Sequence, residues 1–105
     1  MRIKNLLYGF EMSVAETIRS KIEKAFSPSR LIVEDESHKH AGHAGAREGG
    51  ETHFRLIVVA DAFEGMSRVE RHRSVTSALK DEMGNPIHAL AIKTLTPDEA
   101  AREEA

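Results

Sequence analysis

The chain has 105 residues, a formal net charge of −2 and 40% apolar residues. That length suits one small domain with a modest core. The charge argues against a strongly basic nucleic-acid module, and the lack of cysteine excludes disulfides and any thiolate metal site built from this chain alone.

No apolar run approaches the ~18 residues that a membrane helix needs. Residues 1–11, MRIKNLLYGFE, carry two positive charges. They lack the apolar length and the small-residue cleavage site of a signal peptide. They are read as an N-terminal tail of unknown origin ahead of a single domain over 12–105. A cytoplasmic protein, monomeric when alone, is expected.

Ser13-Val14-Ala15-Glu16 is a capping box, in which serine and glutamate satisfy each other's backbone amides. Val14, Ile18, Ile22, Ala25 and Phe26 then recur at helical spacing. Pro28 stops the helix, which is predicted over 13–26. Leu31, Ile32 and Val33 begin a strand that turns acidic at Glu34-Asp35-Glu36.

The next stretch, from Glu36 to Phe54, holds His38, His40, His43 and His53 and four of the seven glycines, with no large aliphatic residue. It reads as a long loop between two strands, mobile over about 37–50, and a loop that long is usually functional or disordered. The second strand alternates Phe54, Leu56, Val58 and Ala60 with His53, Arg55, Ile57 and Val59. An antiparallel hairpin is the simplest pairing.

Asp61 to Gly65 is a turn or short helix, and Ser67-Arg68-Val69-Glu70 is a second capping box. The helix that follows carries Val69, His72, Val75, Thr76, Leu79 and Met83 on its predicted inner stripe. Gly84 and Asn85-Pro86 end it. Ile87 to Leu95 is a third strand, parallel to the second if the crossover has the usual hand. Thr96-Pro97-Asp98-Glu99 is a third capping box opening a short charged helix. The fold class is α+β. A three-stranded mixed sheet is expected, with helices on one face, in the order α-β-β-α-α-β-α.

Imidazole is the one strong metal-ligand type here, and His38-x-His40-x-x-His43 sits on a glycine-rich loop. Histidine suits zinc, copper, iron and nickel, so spacing alone selects no metal. A solvated polar loop fits the same composition. His53 reads as a strand-edge side chain. His72, within the apolar stripe, reads as a buried, hydrogen-bonded histidine, whose removal would cost ~1–3 kcal/mol. His88 reads as a strand-start residue at the rim of the core. No nucleophile, phosphate loop or HExxH motif is present, and an enzyme is not expected. Arg68, Arg71, Arg73 and Lys80 form a modest basic surface, offset by Glu64, Glu70, Asp81 and Glu82.

Several segments together resemble the BolA-like family. They are Asp35-Glu36-Ser37 with the following HAGH, Gly50-Glu51-Thr52-His53-Phe54, Phe63-Glu64-Gly65, Arg71-His72-Arg73, Ile87-His88-Ala89-Leu90 and Thr96-Pro97. The resemblance spans about residues 13 to 100 and lies in the order and spacing of the segments. It implies a class II KH-like fold and partnership with a monothiol glutaredoxin. The pair would share a [2Fe–2S] cluster, with the partner and glutathione supplying thiolates. None would be held by the isolated chain. The resemblance puts the family's common ligand on His88 and a second on His40, with His43 the alternative. Two imidazoles on one iron are similar to Rieske-type ligation. This implies a regulatory or adaptor role in iron–sulfur and iron homeostasis.

The resemblance also implies an alternative, a DNA-binding transcriptional regulator of stress and cell-morphology genes acting through the 63–80 helical region. Arg68, Arg71, Arg73 and Lys80 would make weak phosphate contacts there. The GxxG clamp of KH domains is absent, the local run being Gly65-Met66-Ser67-Arg68. A third possibility is an interaction adaptor without metal, docking through its third strand and C-terminal surface.

Overall fold

The structure, a computed structural model, describes residues 2–5, 10–36 and 52–104. In order they form β1 (Arg2–Asn5), β2 (Phe10–Ser13), α1 (Val14–Phe26), β3 (Arg30–Asp35), β4 (His53–Val59), a 3₁₀ turn (Asp61–Phe63), α2 (Arg68–Ala78), β5 (Ala89–Leu95) and α3 (Pro97–Glu104). The main sheet has the order β3-β4-β5. β3 runs antiparallel to β4, with Leu31 opposite Val58 and Val33 opposite Leu56. β5 runs parallel to β4, with Phe54 opposite Leu90 and Leu56 opposite Ile92. Both pairings agree with the sequence reading. Part of the expected N-terminal tail is a strand pair instead: β1 and β2 are antiparallel, and β2 leads straight into α1.

All three capping boxes form. The amide of Glu16 donates to Ser13 Oγ at 3.1 Å, and the amide of Ser13 donates to Glu16 Oε1 at 3.0 Å. The Ser67–Glu70 pair gives 3.1 and 2.7 Å, and Thr96–Glu99 gives 3.2 and 2.8 Å. Each box satisfies two amides that the first turn would otherwise leave unpaired.

The core lies between the sheet and the pair α1/α2. Val14, Ile18 and Ile22 from α1 meet Phe54, Leu56 and Val58 of β4, with Phe63, Val75, Leu79 and Ile87 completing it. The one-face arrangement describes α1 and α2. Val59 and Leu95 alternate away from this core and lie beside α3 at one end of the sheet. There Glu104 pairs with Arg30 at 2.6 Å and Glu103 with Lys93 at 2.7 Å.

α2 differs from its sequence reading in phase and length. Its buried residues are Arg71 and Val75, followed by Leu79. His72 is exposed, and so are Val69 and Met83. The reason is geometric. Positions 71, 75 and 79 repeat every four residues and stay on one face. Val69 precedes Leu79 by ten residues and lies well round the helix from it. The α-helix also ends at Ala78. Leu79 caps it, and the next residues tighten into turns, with Glu82 N–H donating to Leu79 O at 2.9 Å. Gly84 takes its positive φ of 87° within that turn, where an L-residue would be strained.

Candidate functional site: an imidazole corner at the sheet end

β5 begins two residues later than expected, at Ala89, because the backbone ahead of it is used differently. The amides of His88 and Ala89 both donate to the carbonyl of Thr52, at 2.7 and 3.2 Å. This fixes His88 at the end of the sheet. Before it, Ile87 is fully buried, its amide donates to Glu82 O at 3.0 Å, and its carbonyl accepts from Gly84 N at 2.8 Å. Asn85-Pro86 is a cis peptide in the turn. The backbone of His88 is therefore held on both sides while its side chain is exposed.

The neighbouring imidazole is His53. It is buried, at 6% exposure, and its Nδ1 shares a hydrogen bond of 2.9 Å with Thr52 Oγ1. Its ring centroid lies 5.4 Å from that of His88, with the planes tilted by 50°. His53 does start a strand, as read, but it is packed inward rather than at a solvated edge. Its burial had no signal in the alternation of β4, which puts His53 on the face of Arg55.

The same corner clamps both ends of the 37–51 segment. Glu36 N–H donates to His53 O at 2.7 Å on one side, and Thr52 receives His88 on the other. His38, His40 and His43, and the expectation of loop mobility, lie outside the described residues. Among the described residues no group of three histidines or acids is gathered for a metal. An exposed imidazole on a fixed strand start is sterically open to a metal ion, as imidazole ligands must be.

The second region is the outer surface of α2. Arg68, Val69, His72, Arg73 and Thr76 line a shallow groove there, and Arg68, Arg73 and Lys80 are exposed. Arg71 is not part of that surface. It is 6% exposed, donates through Nε to Met66 O at 3.1 Å, and pairs with Glu99 Oε1 at 2.6 Å. Its guanidinium sits 5.9 Å from the centre of the Phe63 ring, within cation–π range. Chiefly through that guanidinium, with help from the Thr96 amide, the Glu99 carboxyl is lowered to about 2. The sequence pattern alone places Arg71 among solvent-facing cations. Its partner is 28 residues away on α3, beyond the reach of any local pattern.

The topology is that of a small α+β domain with a three-stranded mixed sheet. The family model for BolA-like protein matches residues 22–99, and the chain belongs to that family. An uncharacterized protein in the cobS 5′ region of Sinorhizobium sp. is 48% identical over 92 residues, covering 87% of this chain and 99% of the relative. BolA-like protein 1 of Mus musculus is 50% identical, over 80% of this chain and 58% of its own, so this chain spans little more than half of that relative. A Haemophilus influenzae relative named DNA-binding transcriptional regulator BolA is 38% identical over 84% of this chain and 82% of its own. Among solved structures, the BolA domain of SufE1 from Arabidopsis thaliana superposes with a TM-score of 0.72 at 48% identity, covering 81% of this chain and 93% of that one. No helix among the described residues is long and apolar enough to cross a membrane.

Proposed function

We propose that this protein pairs with a monothiol glutaredoxin and shares a [2Fe–2S] cluster with it, as a regulator or adaptor in iron–sulfur and iron homeostasis. His88 is this chain's fixed ligand. His40, or His43 in its place, supplies the second imidazole, while the partner and its glutathione supply thiolates. The observation that carries this reading is the placement of His88: side chain exposed, backbone pinned to Thr52, beside the clamped ends of the histidine-bearing segment. A strand fixes one ligand in advance, so only the second has to be brought in. When bound, the cluster would supply iron that accepts imidazole ligands. The chain's part would be to hold the His88 imidazole in a fixed place for it. Co-expression with a monothiol glutaredoxin, followed by an absorption spectrum of the purified complex, tests this. A complex without cluster absorption would leave the metal-free adaptor.

A second reading is DNA contact through α2. It is favoured by Arg68, Arg73 and Lys80, which are exposed and make no ion pair among the described residues, and by the name of the Haemophilus relative. Arg71 is withdrawn from that set by Glu99. The remaining cations would touch phosphates, which position a protein without reading sequence.

A further inference from the structure

The turn between α2 and β5 carries one buried acid. Glu82 is 5% exposed. Its Oε2 accepts from Lys21 Nζ at 2.6 Å, and Asp81 stands 3.6 Å from the same nitrogen. Its Oε1 is buried, with no hydrogen-bond partner among the described residues. A carboxylate so placed is tolerated only with a cation against it, since removing one partner of a buried pair strands the other. Lys21 is that cation, and it comes from α1, 61 residues away in sequence. The hydrogen bond to Glu82 raises the Lys21 ammonium above its ordinary range, against the opposing effect of burial. Lys21 therefore keeps its charge at neutral pH.

The backbone of Glu82 belongs to the turn that presents His88. Its amide donates to Leu79 O at 2.9 Å, and its carbonyl accepts from Ile87 N at 3.0 Å. Met83 and Ile87 form an isolated bridge. One residue after Ile87 comes His88. Glu82 is therefore anchored twice, by its carboxylate on α1 and by its carbonyl on the residue preceding His88.

The geometry points to Lys21 as a positioning residue for the His88 imidazole, acting through Glu82. Its charge keeps the Glu82 carboxylate folded under the turn, and the turn holds the backbone from Ile87 to Ala89 against Thr52. Without that charge, Glu82 swings toward water and takes its carbonyl with it. Ile87 then loses its acceptor, and the His88 ring loses its setting beside His53. The inference rests on the reading of His88 as a ligand only for its consequence at the cluster. The placement itself is a property of the isolated chain.

The test uses Lys21→Met, which keeps most of the stem and removes the charge, beside Lys21→Arg and the double variant Lys21→Met/Glu82→Met, which leaves no buried charge. In the isolated chain, amide exchange at Ile87 and His88 and the ring resonances of His88 are followed by NMR. Lys21→Met is expected to lose about tenfold or more in protection at those two amides and to shift the His88 ring signals, as local opening of the turn requires. Lys21→Arg and the double variant should stay near the parent. In the complex with a monothiol glutaredoxin, Lys21→Met should shorten the cluster's lifetime against a chelator several-fold. A Lys21→Met chain that melts lower but keeps the His88 signals and amide protection overturns the inference, because Lys21 would then be merely structural. If Lys21→Met does not fold, the double variant decides. A folded double variant with His88 in place supports charge neutralisation as the role of Lys21, and one with His88 displaced overturns it. If the His88 ring moves as expected in Lys21→Met while the cluster survives unchanged in both Lys21→Met and His88→Ala, the positioning inference stands and the ligand reading falls.

Discussion

The rings of His53 and His88 stand 5.4 Å apart, one buried and one exposed, although 35 positions separate them in sequence. Parallel pairing of β4 with β5 brings them together, through Thr52, whose carbonyl receives the His88 amide while its hydroxyl meets the His53 ring. The corner thus contains one buried imidazole and one solvent-facing imidazole.

Replacing His88 by alanine should leave the fold intact. The side chain is exposed, and such substitutions usually change stability by no more than ~0.5 kcal/mol. Urea unfolding of the isolated variant checks this. In the glutaredoxin complex the same change should abolish the histidine-type cluster spectrum while most of the affinity between the proteins persists. An unchanged spectrum would move the ligand elsewhere.

Arg71→Ala and His72→Ala should differ sharply, in the reverse of what the helical stripe suggests. Arg71 packs over Phe63 and satisfies the Met66 carbonyl, so its truncation should cost ~1–3 kcal/mol. His72 is exposed, and its truncation should be within ~0.5 kcal/mol of neutral. Chemical denaturation of both variants, compared at equal slope, separates the two outcomes.

Glu99 gives the protein an acid-sensitive contact. Its carboxyl is lowered from an ordinary 4.5 to about 2 by Arg71 and the Thr96 amide. A carboxyl depressed in the folded state stabilises it fully above the unfolded value. That contribution declines as pH falls from 4.5 toward 2 and vanishes below. Glu99→Gln should therefore be less stable than the parent at pH 6, with the gap closing through this window. A stability difference that stays constant from pH 6 to pH 2.5 would count against the Arg71 contact.

The cap of α2 should be measurable by itself. Ser67→Ala removes the acceptor for the Glu70 amide and should cost ~0.5–2 kcal/mol. Thermal melting of the variant reads this directly, and a neutral result would mean that the first turn frays in the parent.

If the protein touches DNA, charge reversal at Arg68 and Arg73 should weaken binding about equally on all sequences and flatten its salt dependence. Reversal at Arg71 would instead reduce stability. Tight, salt-tolerant binding to one site would favour the transcriptional reading over the cluster partner. Gel shifts at several salt concentrations distinguish the cases.

The elements were largely legible from local chemistry. Each capping box pairs a serine or threonine with a glutamate three residues on, and such contacts form within one turn whatever the rest of the chain does. The alternation at Phe54, Leu56 and Val58 likewise marks one face of a strand before any partner is known. Local pattern makes His88 only a strand-start residue at the rim of the core; the resemblance carried by Ile87-His88-Ala89-Leu90 is what singles it out. Other features depended on residues far apart in sequence. Arg71 is buried because Glu99 and Phe63 converge on it, Glu82 because Lys21 reaches across from α1, and His53 because β5 closes beside it. Composition treats such residues as surface groups, since a charge or an imidazole alone prefers water. Only tertiary contact supplies the hydrogen bonds and opposite charges that make their burial tolerable, and so only the folded chain decides which histidine is buried and which stays exposed.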